Sequence, residues 1–521
     1  MRKGILTILL LLAMAGAVDA GYLTWEHYQV VNTLPCYYNP HLPALFSDCG
    51  KVLNSKYSMI FGIPLAAVGL IHYGLITLVI LLAMLTGKKI FRYWIMVETT
   101  GGALASIYFV YLQLFVIHGF CQYCMFSALI GFILFFLAYF WLETERKALI
   151  IYIAGFIYQN FVKPIFFLID PETIHIFMVQ TGEFLGACPP CRWLIKQLLP
   201  INDLPLKQTV AGIEFANPIG LAAGFDYEAW LTQILPVIGF GFETIGTITN
   251  HPYDGNPPPL LGRLPKSKSL MVNKGFKSPG ADKIIKKLGT KKFEIPIGIS
   301  IGRTNGVKNM TQKQSVDDVI AAFKKFERSK IKNAYYELNI SCPNLYGNIS
   351  FYPLNNLQEL LTAAGTLRLK KPVFVKMPIE KNDEEILAML NVISKFKFVT
   401  GVVFGNLQKN RKDPALDKQE IKNFSVGNFS GKPTEKRSNE LIKLAYKKYG
   451  KRFIIIGCGG VFSASDAYRK IKLGATLVQL ITGMIYQGPT LIAQINLELI
   501  DLMKKDGYTQ ISQAIGRYTK I

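Results

Sequence analysis

Long apolar stretches fill the first part of this chain and constrain its fold more than any other feature. The first is Ile5–Val18, and three more cover roughly residues 59–86, 92–117 and 123–142. The length of each of these three stretches is near the roughly 20 residues that a helix needs to cross a bilayer core. The pattern predicts a four-span α-helical membrane bundle; removal of the first stretch as a signal peptide is the alternative.

Basic residues recur on one side of the predicted bundle. They precede the first stretch, separate the second from the third, and follow the fourth: Arg2, Lys3, Lys88, Lys89, Arg92, Arg146 and Lys147. The positive-inside rule then places both ends of the bundle in the cytoplasm and the loops 23–58 and 118–123 outside. We therefore expect a multi-pass protein of the cytoplasmic (inner) membrane.

The segment 148–207 is apolar, but polar residues and prolines interrupt it, among them Asn160, Pro164 and Pro171. This pattern is typical of amphipathic helices that lie against membrane lipid. A fifth span through 148–169 is the alternative. We divide the chain into a transmembrane bundle (1–147), membrane-associated amphipathic helices (148–207) and a soluble domain (208–521).

The soluble domain alternates short β-rich runs with helical stretches. The runs lie at 218–223, 242–249, 295–301, 334–341, 372–377, 400–405, 453–457 and 475–481. Eight parallel strands with intervening helices predict an α/β fold of the (β/α)8 type, the TIM barrel. In that fold the chemistry lies on the loops that follow the carboxyl ends of the strands.

The residues that follow these strands suit a flat, phosphorylated cofactor. Small residues at 222–224 leave room for a ring system against the backbone, and Thr247 follows the second strand. Strand seven ends in glycines 459–460, and strand eight ends at residues 481–482. Glycine-rich ends of these two strands form the usual phosphate site of the fold.

Strands four to six end in groups that suit a polar ring substrate. Cys342 lies between Asn339 and Asn344, so a thiol stands among amides that can form hydrogen bonds. Lys376 on strand five can stabilise negative charge on a reduced cofactor ring, and residues 405–406 (Gly-Asn) end strand six.

With these residues in place, the chain resembles the dihydroorotate dehydrogenase family over 153–521. The matching segments are NPIGLAAGFD (217–226), ETIGTIT (243–249), ELNISCPN (337–344), VFVKM (373–377), FSGKP (429–433), IIIGCGGVFSASDA (454–467) and GATLVQLITGMIYQGP (474–489). The stretch 168–172 with His175 resembles the membrane-associated class of the family, which reduces quinone. The resemblance implies oxidation of dihydroorotate to orotate in pyrimidine synthesis, with FMN as cofactor and membrane quinone as acceptor.

The resemblance also implies a role for each strand end. Cys342 would be the base that removes a ring proton while hydride passes to FMN. The residues implied to bind FMN are Ala222, Ala223, Gly224, Thr247, Ser300, Asn339, Lys376, Gly405, Gly431, Gly459, Gly460, Ile481 and Thr482. Those implied to bind dihydroorotate are Asn273, Lys274, Gly275, Phe276, Asn339, Asn344 and Asn406.

Three departures from the family pattern leave alternatives open. Cys342 stands where the membrane-associated class has Ser and the soluble class has Cys, so fumarate or NAD is an alternative acceptor. Tyr227 replaces a substrate-binding Lys, and we expect Lys274 to supply that charge. Ser300 replaces an Asn and Asn273 is one residue out of register, so another pyrimidine-like substrate is a further alternative.

The bundle carries redox residues of its own. Cys121 and Cys124 form a CxxC motif at the start of the fourth span, and Cys36 and Cys49 lie in a predicted outer loop. Together with Ser55 they resemble the vitamin K epoxide reductase family over about 4–145. The resemblance implies a catalytic relay from an extracytoplasmic thioredoxin-like thiol partner, through the loop cysteines and the CxxC motif, to quinone. Static disulfides, or a bundle that is only an anchor, are the alternatives.

The remaining cysteine, histidine and charge patterns point to no other chemistry. Cys188 and Cys191 form a second CxxC motif, which we interpret as a reduced, structural or incidental pair near the quinone entry; a redox role with the bundle cysteines is the alternative. The six histidines show no metal-ligand spacing, so no metal is expected. The net charge of +23 comes without a nucleic-acid module, so we expect attraction to anionic membrane lipid and no nucleic-acid partner.

Overall fold

The computed structural model describes residues 2–29, 49–200, 204–306, 310–347 and 350–519. The chain divides into two compact units, Met1–Leu149 and Ile150–Ile521. The predicted membrane-associated segment 148–207 thus belongs almost entirely to the second unit.

The first unit is a helical bundle. Its helices are α1 (Arg2–Tyr28), α2 (Cys49–Leu53), α3 (Leu65–Thr86), α4 (Lys89–Tyr111), which continues into a π-helical turn (Leu112–Ile117), and α5 (Gln122–Trp141). A short hairpin, β1 (Met59–Ile60) and β2 (Ile63–Pro64), precedes α3. The span expected from residue 59 therefore begins only at Leu65, because the hairpin occupies its first residues.

The surface of this bundle is apolar. Leu9 of α1 packs against Tyr73 and Ile76 of α3 in a buried cluster. Outward-facing apolar side chains are nevertheless common, and Leu85 and Phe140 are 81% and 69% exposed. Among the described residues of the unit, four helices (α1, α3, α4 with its π-helical turn, and α5) are long and apolar enough to cross a membrane. In lipid such an apolar exterior is favourable, because helices satisfy their own backbone hydrogen bonds.

A long helix follows the bundle. It consists of α6 (Glu143–Ile157), a π-helical turn (Tyr158–Val162) and α7 (Lys163–Leu168). The interruption expected at Asn160 and Pro164 does not occur. Proline clashes with the carbonyl four residues earlier in a regular helix, but here the wider turn, closed by the Lys163 N–H on the Tyr158 carbonyl, accommodates it. By length and composition this helix is a fifth candidate span.

From residue 151 onward this helix contacts the barrel of the second unit. The Tyr152 hydroxyl donates to Glu498 Oε1 at 3.2 Å, and the Tyr158 hydroxyl donates to the Ile485 carbonyl at 2.7 Å. The Gln494 amide donates to the carbonyl of Ile151 at 3.4 Å. One face of the helix is therefore committed to polar contacts with a soluble domain.

The second unit contains a closed barrel of eight parallel strands, as the sequence predicts. In their order around the barrel the strands are β5 (Ile219–Leu221), β6 (Phe242–Ile248), β9 (Ile297–Ile301), β10 (Tyr335–Asn339), β11 (Val373–Met377), β12 (Val399–Phe404), β14 (Ile454–Cys458) and β15 (Leu477–Leu480). Six fall within the predicted runs, while β12 begins one residue before its run and β14 ends one residue after its run. Each strand is almost entirely buried, because helices cover the outside of the barrel and side chains fill its interior.

Helices surround the barrel, and short sheets close its two ends. The helices are α10 (Leu235–Ile238), α11 (Ala281–Leu288), α12 (Gln312–Arg328), α13 (Leu354–Gly365), α14 (Asp383–Ser394), α15 (Lys418–Lys422), α16 (Glu435–Tyr449), α17 (Ala464–Leu473), α18 (Thr482–Gln487) and α19 (Leu491–Lys505). A hairpin, β3 (Gln208–Val210) and β4 (Ile213–Phe215), packs Phe215 against Phe242 and Tyr335 at the amino-terminal end.

The carboxyl end of the barrel carries a sheet and two helices. The sheet consists of β7 (Leu261–Leu264), β8 (Ser269–Val272) and β13 (Asn428–Phe429), and the helices are α8 (Pro171–Ala187) and α9 (Pro189–Leu198). Asp170 caps α8 by accepting the Thr173 N–H, which fixes the first turn of α8 next to the barrel opening.

Candidate active site

A cavity opens at the carboxyl ends of the barrel strands and continues into a second, glycine-lined recess. The cavity and the recess share part of their lining, and the shared residues include Ala223, Lys376, Asn406, Ile481 and Thr482. The main cavity collects predicted site residues from several strands: Ala223, Gly224, Thr247, Lys274, Gly275, Phe276, Asn339, Cys342, Asn344, Lys376, Asn406, Ile481 and Thr482. The recess adds Ala222, Gly405, Gly431, Gly459 and Gly460.

Glycines form a large part of the wall of the recess. Gly459 and Gly460 follow β14 with φ angles of +100° and +70°, in the region that glycine occupies without strain. A Cβ atom on Gly460 would lie 2.8 Å from the Cα of Glu435. Across the recess the hydroxyl groups of Ser430 and Thr482 are 2.8 Å apart. Backbone N–H groups and hydroxyls around a small cavity suit a phosphate group.

Cys342 lies in the main cavity among three asparagine side chains. The Asn339 amide donates to Thr247 Oγ1 at 2.8 Å, and the Asn406 amide donates to the hydroxyl of Ser341 at 2.6 Å. Burial raises the pKa of the Cys342 thiol to about 11, although a backbone N–H and nearby cations act in the opposite direction. The residue is therefore a thiol at neutral pH, and cations near it favour its ionised form.

Asn344 is positioned by the sheet that covers the barrel mouth. Its amide donates to the Val272 carbonyl at 2.9 Å, and its oxygen accepts the Asn428 amide at 2.6 Å. The loop after β10 and the covering sheet therefore form one hydrogen-bonded wall.

Ser300, predicted to bind the cofactor, does not line the cavity. Its hydroxyl lies 2.9 Å from Thr247 Oγ1 and donates to Glu337 Oε1 at 2.8 Å, in the layer beneath. Glu337 in turn lies 3.9 Å from the ammonium of Lys376, and both of these side chains are buried. The short side chain of Ser300 reaches only as far as its neighbours on β6 and β10, and its role in binding the cofactor stays a prediction.

Asn273, predicted to bind substrate, is also directed elsewhere. Its amide donates to the carbonyls of Pro257 and Pro259, and its oxygen accepts the amide of Asn256 at 3.1 Å. It is absent from the cavity wall, whereas Lys274, which follows it, is present there. Asn273 therefore holds the preceding proline-rich loop, and its contact with substrate stays a prediction.

Lys274 is already paired in this structure. Its ammonium lies 3.1 Å from Glu172 of α8 and 3.4 Å from the Tyr227 hydroxyl, above the Tyr227 ring. Lys277 lies 3.7 Å from the same carboxylate and also lines the cavity. Burial lowers the pKa of Lys274 to about 8, although Glu172 acts in the opposite direction.

Lys277 and His175 also line the main cavity, although the sequence predicted neither position. The His175 ring stacks on Tyr227 with centroids 5.8 Å apart and meets the edge of Phe225 at 5.0 Å. Burial and then the two neighbouring lysines lower the pKa of His175 to about 3, so it is neutral at physiological pH. The likeness around 168–175 was the one signal that could have placed His175 here.

The bundle has a separate cavity of about 300 Å³ beside its CxxC motif. Cys124 and Ser55 line it, with His72, Tyr73 and Gln113. This volume is within the range of small-molecule sites, and apolar groups dominate its wall.

The CxxC motif is fixed at the start of α5. Cys121 caps the helix, with its sulfur accepting the Cys124 N–H at 3.4 Å, and its own N–H donates to the side chain of Gln113 at 3.0 Å. Cys49 packs against Cys121 in a buried cluster and is disulfide-bonded. Cys121 and Cys124 are free thiols. Cys36 lies outside the described residues.

Cys188 and Cys191 are joined by a disulfide. The prediction of a reduced pair was therefore wrong. The sequence spacing alone does not fix the redox state, whereas the turn between α8 and α9 brings the two Cα atoms to 5.3 Å, within bonding range.

Comparisons with known proteins agree with both halves of this description. The dihydroorotate dehydrogenase family model matches residues 205–503, and the vitamin K epoxide reductase family model matches residues 7–139. Dihydroorotate dehydrogenase (quinone) of Corynebacterium diphtheriae is 32% identical over 354 residues, which cover 67% of this chain and 94% of the relative. The protein of the same name from Sulfurovum sp. is 35% identical over 356 residues, covering 68% and 97%.

A solved structure gives the same result. The dihydroorotate dehydrogenase of Eimeria tenella in complex with ferulenol matches with a TM-score of 0.60 and 26% identity, over 68% of this chain and 96% of that one. The first unit, with its family match and apolar helices, makes the protein a membrane protein. The chain therefore belongs to the dihydroorotate dehydrogenase family, and its barrel is fused behind a domain of the vitamin K epoxide reductase family.

Proposed function

We propose that the barrel oxidises dihydroorotate to orotate and passes the electrons to membrane quinone. The observation that carries this proposal is one continuous cavity in which Cys342, three asparagine amides and Lys376 adjoin a glycine-lined recess. Relatives that match almost over their full length carry the name dihydroorotate dehydrogenase (quinone), which supports the choice of substrate and acceptor.

FMN fits the chemistry of this site. The recess offers backbone N–H groups and hydroxyls for a phosphate. Residues 222–224 offer a wall without bulky side chains for a ring, and Ile481 offers an apolar contact. Lys376 would lie near the ring and favour negative charge on it. When bound, FMN supplies the chemistry of accepting a hydride and releasing electrons to a quinone.

The residues around the substrate hold and deprotonate it. Asn339, Asn344 and Asn406 would bind the polar groups of the ring, and Cys342 Sγ would take a ring proton. A thiol with a raised pKa becomes a competent base when Lys376 and Arg303, whose charges act on it, stabilise the thiolate. The sheet formed by β7, β8 and β13 limits the access of water to this reaction.

We further propose that Lys274 holds the carboxylate of dihydroorotate. Tyr227 occupies the place of the family lysine, and Lys274 stands above its ring with Lys277 close by. Glu172 balances one of the two positive charges, which leaves a net charge of +1 for an anionic substrate.

The helices before the barrel would form the approach for quinone. Phe161 of the π-helical turn and Phe177 of α8 are exposed, and a lipid surface would cover them. We propose that α6 and α7 lie against the membrane, since their polar contacts with the barrel do not suit a span. The positive-inside pattern then supports a cytoplasmic barrel at the inner membrane, with the bundle cysteines on the outer side.

Anaerobic stopped-flow spectroscopy tests the barrel. We expect dihydroorotate to bleach the bound flavin and quinone, but neither fumarate nor NAD, to restore the absorbance. No bleaching by dihydroorotate would refute the substrate, and recovery with fumarate or NAD alone would refute the acceptor.

We propose a thiol:quinone oxidoreductase activity for the bundle, on the observation that Cys124 lines its cavity. The Cys121–Cys124 dithiol would become a disulfide while quinone takes two electrons and two protons to become quinol. A thioredoxin-like partner would return electrons through Cys36 and Cys49.

Full-length protein in detergent, supplied with a dithiol and a quinone, tests this activity. We expect quinol formation that Cys124→Ser abolishes, while flavin bleaching by dihydroorotate is retained. Equal quinol formation in wild type and Cys124→Ser, corrected for the uncatalysed rate, would leave the bundle an anchor.

A further inference from the structure

The disulfide between Cys188 and Cys191 lies at the corner where α8 ends and α9 begins. Cys188 ends α8 and at the same time caps α9, a helix of ten residues, with its sulfur accepting the Cys191 N–H at 3.3 Å. The Cys188 carbonyl accepts the Arg192 N–H at 3.0 Å. A sulfur at a helix N-terminus is stabilised as a thiolate, so it is a good leaving group in disulfide exchange.

This disulfide is accessible, unlike a disulfide that staples a core. Both cysteines are partly exposed, and Phe184, Trp193 and Leu194 around them are 69%, 65% and 53% exposed. A dithiol of another protein can therefore approach the sulfur atoms, and an apolar rim is available for its docking.

Helix α8 connects this corner to the active-site cavity of the barrel. Near the disulfide, Gly186 lets α8 approach the loop before α10 so closely that an added Cβ would lie 3.1 Å from Ile234 N. At its other end the same helix presents Glu172 and His175 to the cavity wall. Glu294 anchors α9 through ion pairs with Arg192 and Lys196. The joint between α8 and α9 is therefore continuous with elements that border the active site.

We propose that Cys188 and Cys191 form a redox-active site for an external protein dithiol of the thioredoxin type, and that its state sets the quinone half-reaction of the barrel. The exchange itself is independent of the function proposed above, whereas the effect on quinone rests on it.

The exchange balances as a two-electron transfer. A partner thiolate attacks Cys188 Sγ, the Cys188–Cys191 bond breaks, and Cys191 leaves as a thiolate that takes up a proton. The second partner thiol then attacks the mixed disulfide and releases Cys188, whose sulfur regains the Cys191 N–H. The partner is oxidised to its disulfide and the pair is reduced to two thiols, and a partner disulfide reverses the reaction.

Differential alkylation of the full-length protein tests the exchange. The protein is equilibrated with reduced thioredoxin, unfolded in a first alkylating reagent, reduced, and treated with a second. We expect the peptide containing 188–191 to change from the second label to the first, and to change back with oxidised thioredoxin. In Cys191→Ser, Cys188 is first converted to its mixed disulfide with thionitrobenzoate, and a thioredoxin that lacks its resolving cysteine should then displace thionitrobenzoate and stay trapped on Cys188. In Cys188→Ser, activated in the same way at Cys191, much less should be trapped. A peptide that stays oxidised under these conditions overturns the proposal.

Steady-state kinetics test the consequence. We expect reduction of the pair to change kcat/KM for a hydrophobic quinone by about three- to tenfold, the usual size of coupling between sites. Flavin bleaching by dihydroorotate should not change. The doubly substituted Cys188→Ser, Cys191→Ser protein should behave like the reduced form and be insensitive to thioredoxin. Exchange without a kinetic change would reject the control function and retain the redox site, while absent flavin chemistry would reject only the proposed barrel function.

Discussion

The pH dependence of substrate oxidation depends directly on the environment of Cys342. Burial raises the pKa of this thiol to about 11 from an ordinary value of 9.0. At pH 8 about one molecule in a thousand then carries the thiolate, against about one in ten for an ordinary thiol. If the thiolate is the base, the rate of proton removal follows this fraction.

We therefore expect the single-turnover rate of flavin bleaching to rise about tenfold per pH unit between pH 7 and 10, and to level off near the thiol pKa. Cys342→Ala should lower the rate by about 10²- to 10⁴-fold, the usual contribution of a general base, and should make the profile flat. Stopped-flow absorbance at saturating dihydroorotate measures both. Flavin fluorescence at each pH serves as the control that cofactor is retained.

Two results would refute this reasoning. A wild-type rate that is constant from pH 7 to 10 would mean that the thiolate fraction does not limit the reaction. A slope that survives in Cys342→Ala would assign the titration to another group.

Three further perturbations test other parts of the barrel. Because the pKa of Lys274 is lowered to about 8, mainly by burial, its positive charge is present below that pH and lost above it. KM for dihydroorotate should therefore rise above pH 8. Lys274→Met should raise KM about tenfold at pH 7 and remove the inflection in the pH profile of KM. Glu337→Gln leaves the ammonium of Lys376, 3.9 Å away, without its carboxylate, so the midpoint potential of the flavin should become more positive in a dye-equilibration titration; an unchanged potential would contradict this. Burial, and then the charge of Asp226, raise the pKa of Glu243 well above its usual value. The stability of the wild-type protein should therefore fall as pH rises beyond about 4.5, the pKa of the unfolded state. Thermal unfolding should show Glu243→Gln to be more stable than wild type at pH 8 and nearly equal at pH 5, and a lower stability of the variant at both pH values would contradict this reasoning.

Much of the fold follows from local sequence patterns. The eight strands could be predicted because buried parallel strands are short apolar runs bounded by turns. Glycines 459–460 indicated the recess because a glycine-rich strand end is also a local sequence pattern. The apolar helices of the bundle could be read from length and composition.

The parts that could not be predicted depend on residues distant in sequence. Ser300 is directed to Glu337 on the neighbouring strand, and Lys274 pairs with Glu172, 102 residues before it. The helix through Pro164 persists because a π-helical turn precedes it, which no composition rule anticipates. The bond between Cys188 and Cys191 depends on the turn between α8 and α9, which brings the two Cα atoms to 5.3 Å.

The ion pair between Glu172 and Lys274 limits how this protein can be recombined with its relatives. Glu172 comes from the helical extension, whereas the lysines at 274 and 277 come from the barrel. A chimera that carries the extension of another family member without an acidic residue at this place would retain the buried Lys274 and the partly buried Lys277 without their counter-charge. Substrate affinity, and not only the reaction with quinone, would then depend on which extension is grafted. For anyone exchanging segments between these enzymes, the boundary must therefore fall before α8.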